Sequence, residues 1–129
     1  MKKMVLVLLA MILLTACAQN KEKDREAVSM NITAEEAKRI MDSEEGYIIL
    51  DVRTQEEYDE GHIPGAVLIS HEEIAEKAED VLTDKDQLIL VYCRSGRRSK
   101  IASEALVELG YTNIKEFGGI LDWPYAVEK

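Results

Sequence analysis

The sequence predicts an α/β fold with a mostly parallel sheet flanked by helices on both faces. Three observations carry that expectation. Helix and strand signals alternate from Asn31 to Lys129. The strand candidates are continuous apolar runs rather than alternating ones, so helices must cover both faces of the sheet. Capping pairs of Ser or Thr with Glu three residues later recur between the strands, marking where helices begin.

Taken in order, Thr33 and Glu36 form the first such pair and open a helix running through about Met41. Tyr47-Ile48-Ile49-Leu50, bounded by Gly46 and Asp51, reads as a buried strand. Thr54 and Glu57 open a second, short helix that Gly61 can end. Ala66 to Ile69 is the next strand, and Ser70 with Glu73 gives a third capping pair. Ile74, Ala75, Ala78, Val81 and Leu82 then follow helical spacing, with acids on the opposite face. Gln87 to Tyr92 contains the strongest strand of the chain. Ile101, Ala102, Ala105, Leu106 and Leu109 form one helical stripe, stopped by Gly110. Ile114 to Phe117 is the last strand, and Gly118-Gly119 leads into a short terminal helix carrying Trp123. No internal repeat is visible.

Composition narrows the function classes. The chain has 129 residues, which suits one domain. With 47 % hydrophobic and 32 % charged residues, 7 Gly, 2 Pro and 2 Cys, it is not a collagen-like, low-complexity or disulfide-dense chain. Its 16 basic residues against 25 acidic ones give a formal charge of -9. That balance speaks against a nucleic-acid partner, because phosphate contact relies on Lys and Arg.

Residues 1–16 read as an address rather than as part of the domain. Lys2 and Lys3 precede an apolar run of eleven residues, Met4 to Leu14, followed by small residues. Such a run spans about 16 Å as a helix, short of a hydrocarbon core of roughly 30 Å. The pattern is that of a bacterial secretion signal. Leu14-Thr15-Ala16-Cys17 also resembles the lipobox of bacterial lipoproteins, which implies cleavage before Cys17 and lipidation of its thiol. An ordinary signal peptide cut nearby is the alternative. Two acyl chains hold a protein firmly where one binds marginally, so the mature chain is expected outside the cytoplasm, anchored by lipid to a bacterial membrane. Cleavage there removes two Lys and no acid, leaving a formal charge of −11. Residues 17–30 form the expected tether, with Lys21 to Glu26 alternating in sign and solvated. A charged helical extension is the other possibility. Residues 31–129 form the domain.

In parallel α/β sheets ligands bind beyond the carboxyl ends of the strands. That rule singles out Asp51-Val52-Arg53, Ser70-His71 and Cys93 to Arg98. Cys93 ends the most apolar strand. The eight residues from Cys93 to Lys100 hold three arginines and one lysine and no acid, in a chain that is otherwise acidic. A loop entering a helix also aims backbone N–H groups at one point and favours an anion there. Gly96 suits a loop that brings backbone against a ligand. A free thiol has a pKa of about 8.5, and such surroundings bring it to roughly 7 or below. Each unit corresponds to about 1.4 kcal/mol in favour of the thiolate. A lone cysteine can equally be the inert end of a core strand. The basic loop, the strand-end position and the helix that follows favour the reactive thiol.

Here the residues resemble the rhodanese domain family, over Asn31 to Lys129. The matching elements are Leu50-Asp51-Val52-Arg53, Gly61-His62-Ile63-Pro64-Gly65-Ala66, Tyr92-Cys93-Arg94-Ser95-Gly96-Arg97-Arg98-Ser99 and Gly118-Gly119-Ile120-Leu121-Asp122-Trp123-Pro124. Each is weak alone, and their order makes the set specific. The resemblance implies a five-stranded sheet with helices on both faces and a loop cradling a persulfide. It further implies a thiosulfate sulfurtransferase. The Cys93 thiolate takes the outer sulfur of thiosulfate or a similar small anionic donor, sulfite leaves, and the Cys93 persulfide passes that sulfur to cyanide or a thiol. The loop residues Arg94, Ser95, Gly96, Arg97, Arg98 and Ser99 would bind the donor and the persulfide charge. Neither cofactor nor metal is called for.

The remaining polar residues carry blander expectations. His62 sits between turn formers and suits a structural hydrogen bond better than catalysis, and His71 is expected on an exposed first turn. Two separated histidines and one domain cysteine give no metal-ligand spacing. Asp51 and Arg53 are expected to support the loop structurally, and Trp123 to be core or pocket wall. The enzymatic rival is a cysteine-dependent phosphatase or arsenate reductase. Those use a cysteine, five intervening residues and an arginine, whereas Ser99 stands at that place here and Arg98 comes one residue early. The non-enzymatic rival is a membrane-anchored persulfide carrier or binding module.

Overall fold

The computed structural model describes residues 29–129; the expected lipobox, Cys17 and most of the expected tether lie outside the described residues. Its strands are β1 (Ser29–Asn31), β2 (Ile48–Asp51), β3 (Val67–Leu68), β4 (Ile89–Cys93) and β5 (Ile114–Gly119). They form one sheet in the order β1-β5-β4-β2-β3, and every pairing is parallel. The helices are α1 (Ala34–Ser43), α2 (Gln55–Glu60), α3 (Ile74–Val81) and α4 (Arg97–Glu108), with 3-10 turns at His71–Glu73 and Ile120–Asp122. The expected α/β architecture, five strands with helices on both faces, is present.

Side chains alternate across a strand, and β4 shows how that builds two cores. Ile89, Val91 and Cys93 face a cluster containing Ile74 and Ala78 of α3 and Ala102 and Leu106 of α4. Leu90 and Tyr92 face the opposite cluster, with Ala37 of α1, Phe117 and Trp123. All five residues of β4 are buried. Fully burying one such aliphatic side chain contributes about 1.5–3 kcal/mol. Cys93 is thus set at the end of a wholly buried strand, on the face that α4 covers.

Capping explains two of the helix starts. Thr33 Oγ1 accepts from Glu36 N–H at 3.1 Å and Thr54 Oγ1 from Glu57 N–H at 3.2 Å, with each Glu reaching back to the cap. Ser70 makes no such bond; a 3-10 turn intervenes there before α3 begins. Other differences from the sequence expectation have plain causes. β1 begins at Ser29, inside the stretch assigned to the tether, and its three exposed residues offer no periodic signal. The buried face of α4 is Ser99, Ala102, Ser103 and Leu106, while Ile101 is 43 % exposed. Ser103 fits the core because its hydroxyl donates to the Ser99 carbonyl at 2.8 Å. Val81 lies outside the buried face of α3 in the same way. Trp123 follows a 3-10 turn instead of riding on a helix. The chain then returns to the segment between α2 and β3, where Glu128 and His62 form an antiparallel bridge.

Candidate active site

The carboxyl edge of the sheet gathers Arg53 after β2, Arg94 to Gly96 after β4 and Ile120 to Trp123 after β5. Gly96 has φ +112°, a left-handed conformation that costs a side-chain-bearing residue about 1–2 kcal/mol. The turn it makes caps α4 and aims its own N–H at Cys93 Sγ, 3.0 Å away. Ser99, fully buried in the first turn of α4, places Oγ 3.4 Å from the same sulfur. Burial pushes the Cys93 thiol up. Hydrogen bonds from the backbone amides of Ser99, Gly96 and Ser95 are among those that outweigh it, and the thiol lies below its ordinary value.

β5 presses on the loop from the side. The ladder between β4 and β5 shifts register between Val91 and Cys93, which brings Gly119 opposite Cys93. A Cβ on Gly119 would stand 1.9 Å from the Arg94 carbonyl oxygen and 2.4 Å from Ser95 N. Leu121 N–H donates to that same carbonyl at 3.2 Å. Only a bare α-carbon lets β5 hold the loop this closely.

The arginines divide into two groups. Arg98 makes a two-pronged pair with Glu57, at 2.7 and 2.9 Å. That guanidinium, together with the Thr54 backbone and hydroxyl, holds the Glu57 carboxyl down to about 2 in spite of partial burial. Arg53 is buried against Asp51, with Nη2 donating both to Oδ2 at 2.8 Å and to the Gly61 carbonyl at 2.7 Å, and Nε donating to Oδ1 at 3.0 Å. Tyr92 completes this knot. Its hydroxyl donates to Asp51 at 2.6 Å and accepts from Ile63 N–H, and burial followed by the Asp51 bond pushes the phenol up. Arg94 and Arg97 are exposed. Arg94 lines an open cleft of about 570 Å³ that Arg53, Gly61, Ile120, Trp123 and Tyr125 also line. Cys93 itself is 1 % exposed and is not among the lining residues.

The histidines stand apart from the sulfur. His62 stacks on Tyr58 with ring centroids 3.7 Å apart, and its Nδ1 meets the Tyr58 carbonyl at 2.9 Å. His71 is half-buried rather than exposed: its backbone N–H donates to the Val52 carbonyl, and its ring Nδ1 is enclosed without a partner among the described residues. Among the described residues no group of three or more His, Cys, Asp or Glu side chains is placed to hold a metal. Sequence reasoning missed Glu116 and Gly119. An acid between Ile114 and Phe117 in a strand that enters the core was the signal that could have found the first, since buried charges need partners.

The family model of the rhodanese-like domain matches residues 33–125. Thiosulfate sulfurtransferase PspE of Escherichia coli is 40 % identical over 73 residues, covering 57 % of this chain and 70 % of the relative. The putative sulfur carrier protein YrkF of Bacillus subtilis is 39 % identical over 98 residues, 75 % of this chain, which spans about half (52 %) of that relative's length. Among solved structures, a rhodanese with anions from E. coli superposes with a TM-score of 0.61 at 36 % identity, covering 64 % of this chain and 98 % of the other.

Proposed function

The chain belongs to the family of rhodanese-like domains, and from that premise we propose that it moves sulfane sulfur through a persulfide on Cys93. The Cys93 thiolate attacks the outer sulfur of thiosulfate or a similar small anion. A bond forms between the two sulfurs, the S–S bond of the donor breaks, and sulfite departs with the electron pair. A thiolate or cyanide then attacks the outer sulfur of the persulfide, and the Cys93 thiolate is regenerated. Sulfite is stable as an anion, so the step needs no strong general acid.

The observation that carries this reading is Sγ held at the start of α4, with the Gly96 amide 3.0 Å away and the thiol lowered in spite of burial. Arg94 is the loop arginine on the cleft and the one suited to meet an anionic donor. Arg98 is committed to Glu57, which supports sulfur transfer over phosphate chemistry, where a free arginine fork would clamp the oxyanion. Because Cys93 is 1 % exposed, the donor must displace atoms of the loop or of the Ile120–Trp123 rim to reach Sγ.

Mass spectrometry of protein incubated with thiosulfate tests the proposal. The Cys93 peptide is expected to gain one sulfur atom, and cyanide to remove it as thiocyanate. An unmodified Cys93 peptide after saturating donor would overturn the assignment. The enclosed thiol and the carrier name borne by YrkF support a second reading, in which the persulfide forms once and awaits a specific acceptor. Rapid loading with no repeated thiocyanate turnover is its signature.

We further propose an extracytoplasmic location, with the chain anchored to a bacterial membrane by lipid on Cys17. The lipobox before Cys17 supports a lipid anchor outside the cytoplasm. Among the described residues no helix is long and apolar enough to cross a membrane. Radiolabelled palmitate fed to expressing bacteria is expected to label the chain and to fail with Cys17→Ala. Equal labelling of both would end the anchor assignment.

A further inference from the structure

Glu116 is 6 % exposed, on a strand whose neighbouring side chains Ile114 and Phe117 are apolar and buried. A carboxylate in such a place needs donors on both oxygens. Oε1 accepts from the Ser99 hydroxyl at 2.6 Å and from Gly118 N–H at 2.8 Å, and Oε2 accepts from Asn31 Nδ2. Ser99 is also the residue whose Oγ lies 3.4 Å from Cys93 Sγ. One buried acid therefore stands a single side chain away from the nucleophile.

A serine hydroxyl has one proton to give. Its possible takers here are Glu116 Oε1 at 2.6 Å, the Gly96 carbonyl at 2.9 Å, the Gly118 carbonyl at 3.3 Å and the Cys93 sulfur at 3.4 Å. The carboxylate is nearest, and O–H···O⁻ bonds of that length are roughly twice as strong as neutral ones. With its proton drawn to Glu116, Ser99 turns a lone pair toward the sulfur. A lone pair accepts from S–H and gives a thiolate nothing.

We propose that Glu116 is a positioning residue for Cys93: by holding the Ser99 hydroxyl proton it restrains ionisation of the sulfur that the loop amides favour. The carboxylate also opposes a second anion through space. Restraint of this kind is useful, since a thiolate loses nucleophilicity as its pKa falls and attacks best with a pKa near ambient pH. The other charged groups around the sulfur are Arg94 and Arg97 of the loop, Arg98 of α4, which attracts the thiolate while paired with Glu57 of α2, and Asp51 of β2, paired with Arg53. None of them bonds to Ser99 among the described residues, so Glu116 is the acid that sets its hydroxyl.

The inference rests on Cys93 being the nucleophile, yet its test reads acidity and not sulfur transfer. The rate of Cys93 alkylation by iodoacetamide is followed against pH in the full chain, scored on the Cys93 peptide. Glu116→Gln, with circular dichroism to confirm folding, is expected to lower the pH midpoint by about one unit. In a Ser99→Ala background the same substitution is expected to shift it by less than half as much, because the route through the hydroxyl is gone. Glu116→Asp keeps the charge but withdraws it by one methylene from Ser99, so its midpoint should fall as well; this variant carries the test if the Gln protein does not fold. An unchanged or raised midpoint, or an undiminished shift without Ser99, would overturn the proposal. Failure to form a persulfide would instead strike the catalytic assignment and leave these midpoints standing.

Discussion

Cys93→Ala is expected to reduce thiocyanate formation from thiosulfate and cyanide by roughly a thousandfold or more, the scale on which removing a covalent nucleophile acts. The two-step route needs an atom that can attack sulfur, carry it and release it. The nearest other nucleophile, the Ser99 hydroxyl, is an alcohol already bonded to Glu116. Its conversion to an alkoxide is out of reach near neutral pH. Cys93→Ser is expected to be equally inactive for that reason, although it keeps a polar atom facing the Gly96 amide. Both changes are small in volume, so stability should move by only about 1 kcal/mol. Parallel measurement of thiocyanate release and of the urea midpoint separates lost chemistry from lost folding. Turnover surviving in the alanine protein would place the nucleophile elsewhere.

Gly119→Ala should be the most damaging single-methyl change in the domain. The added carbon would meet the Arg94 carbonyl oxygen at 1.9 Å and its carbon at 2.1 Å, both backbone atoms with no rotamer to escape into. Either β5 leaves β4 or the cysteine loop is displaced. Overpacking alone costs about 1–3 kcal/mol, occasionally more, and a backbone-to-backbone collision belongs at or above the upper end. Gly118 provides the control. It has φ +84° and nothing within 4 Å of where an added methyl would stand, so Gly118→Ala should cost only the left-handed penalty of about 1–2 kcal/mol. Urea unfolding of the two variants decides the matter. Equal stabilities would mean that β5 does not press on the loop as described. Slower alkylation of Cys93 in any folded fraction of the Gly119→Ala protein is the companion expectation, since the Gly96 amide would no longer be aimed at Sγ.

How much of this was legible in the sequence depends on how far apart the interacting residues lie. The helix starts at Thr33 and Thr54 were legible because a capping box is complete within four residues. The Cys93 loop was legible because its charges are contiguous and follow the most apolar strand. β1 was not, because Ser29, Met30 and Asn31 join the sheet by pairing with β5, more than eighty residues away. The role of Glu116 depends on Asn31 at a separation of 85 residues and on Ser99 at 17. Which arginine meets the cleft was equally hidden. Local sequence shows Arg94, Arg97 and Arg98 as equivalents, and only the fold brings Glu57, 41 residues from Arg98, to engage one of them. The misplaced stripe on α4 has a similar origin, since Ser99 and Ser103 enter the core through bonds that a hydropathy pattern does not record.

β1 runs in the same direction as the other four strands, so the chain arrives at one edge of the sheet and the Cys93 loop lies at the far one. At about 3.3 Å of rise per residue, the five residues of β4 set these edges about 16 Å apart. Whatever holds the chain ahead of Ser29 therefore meets the domain at the end of the sheet away from the Cys93 loop, and the rim formed by Arg94 and Ile120 to Trp123 stays clear of that point of entry.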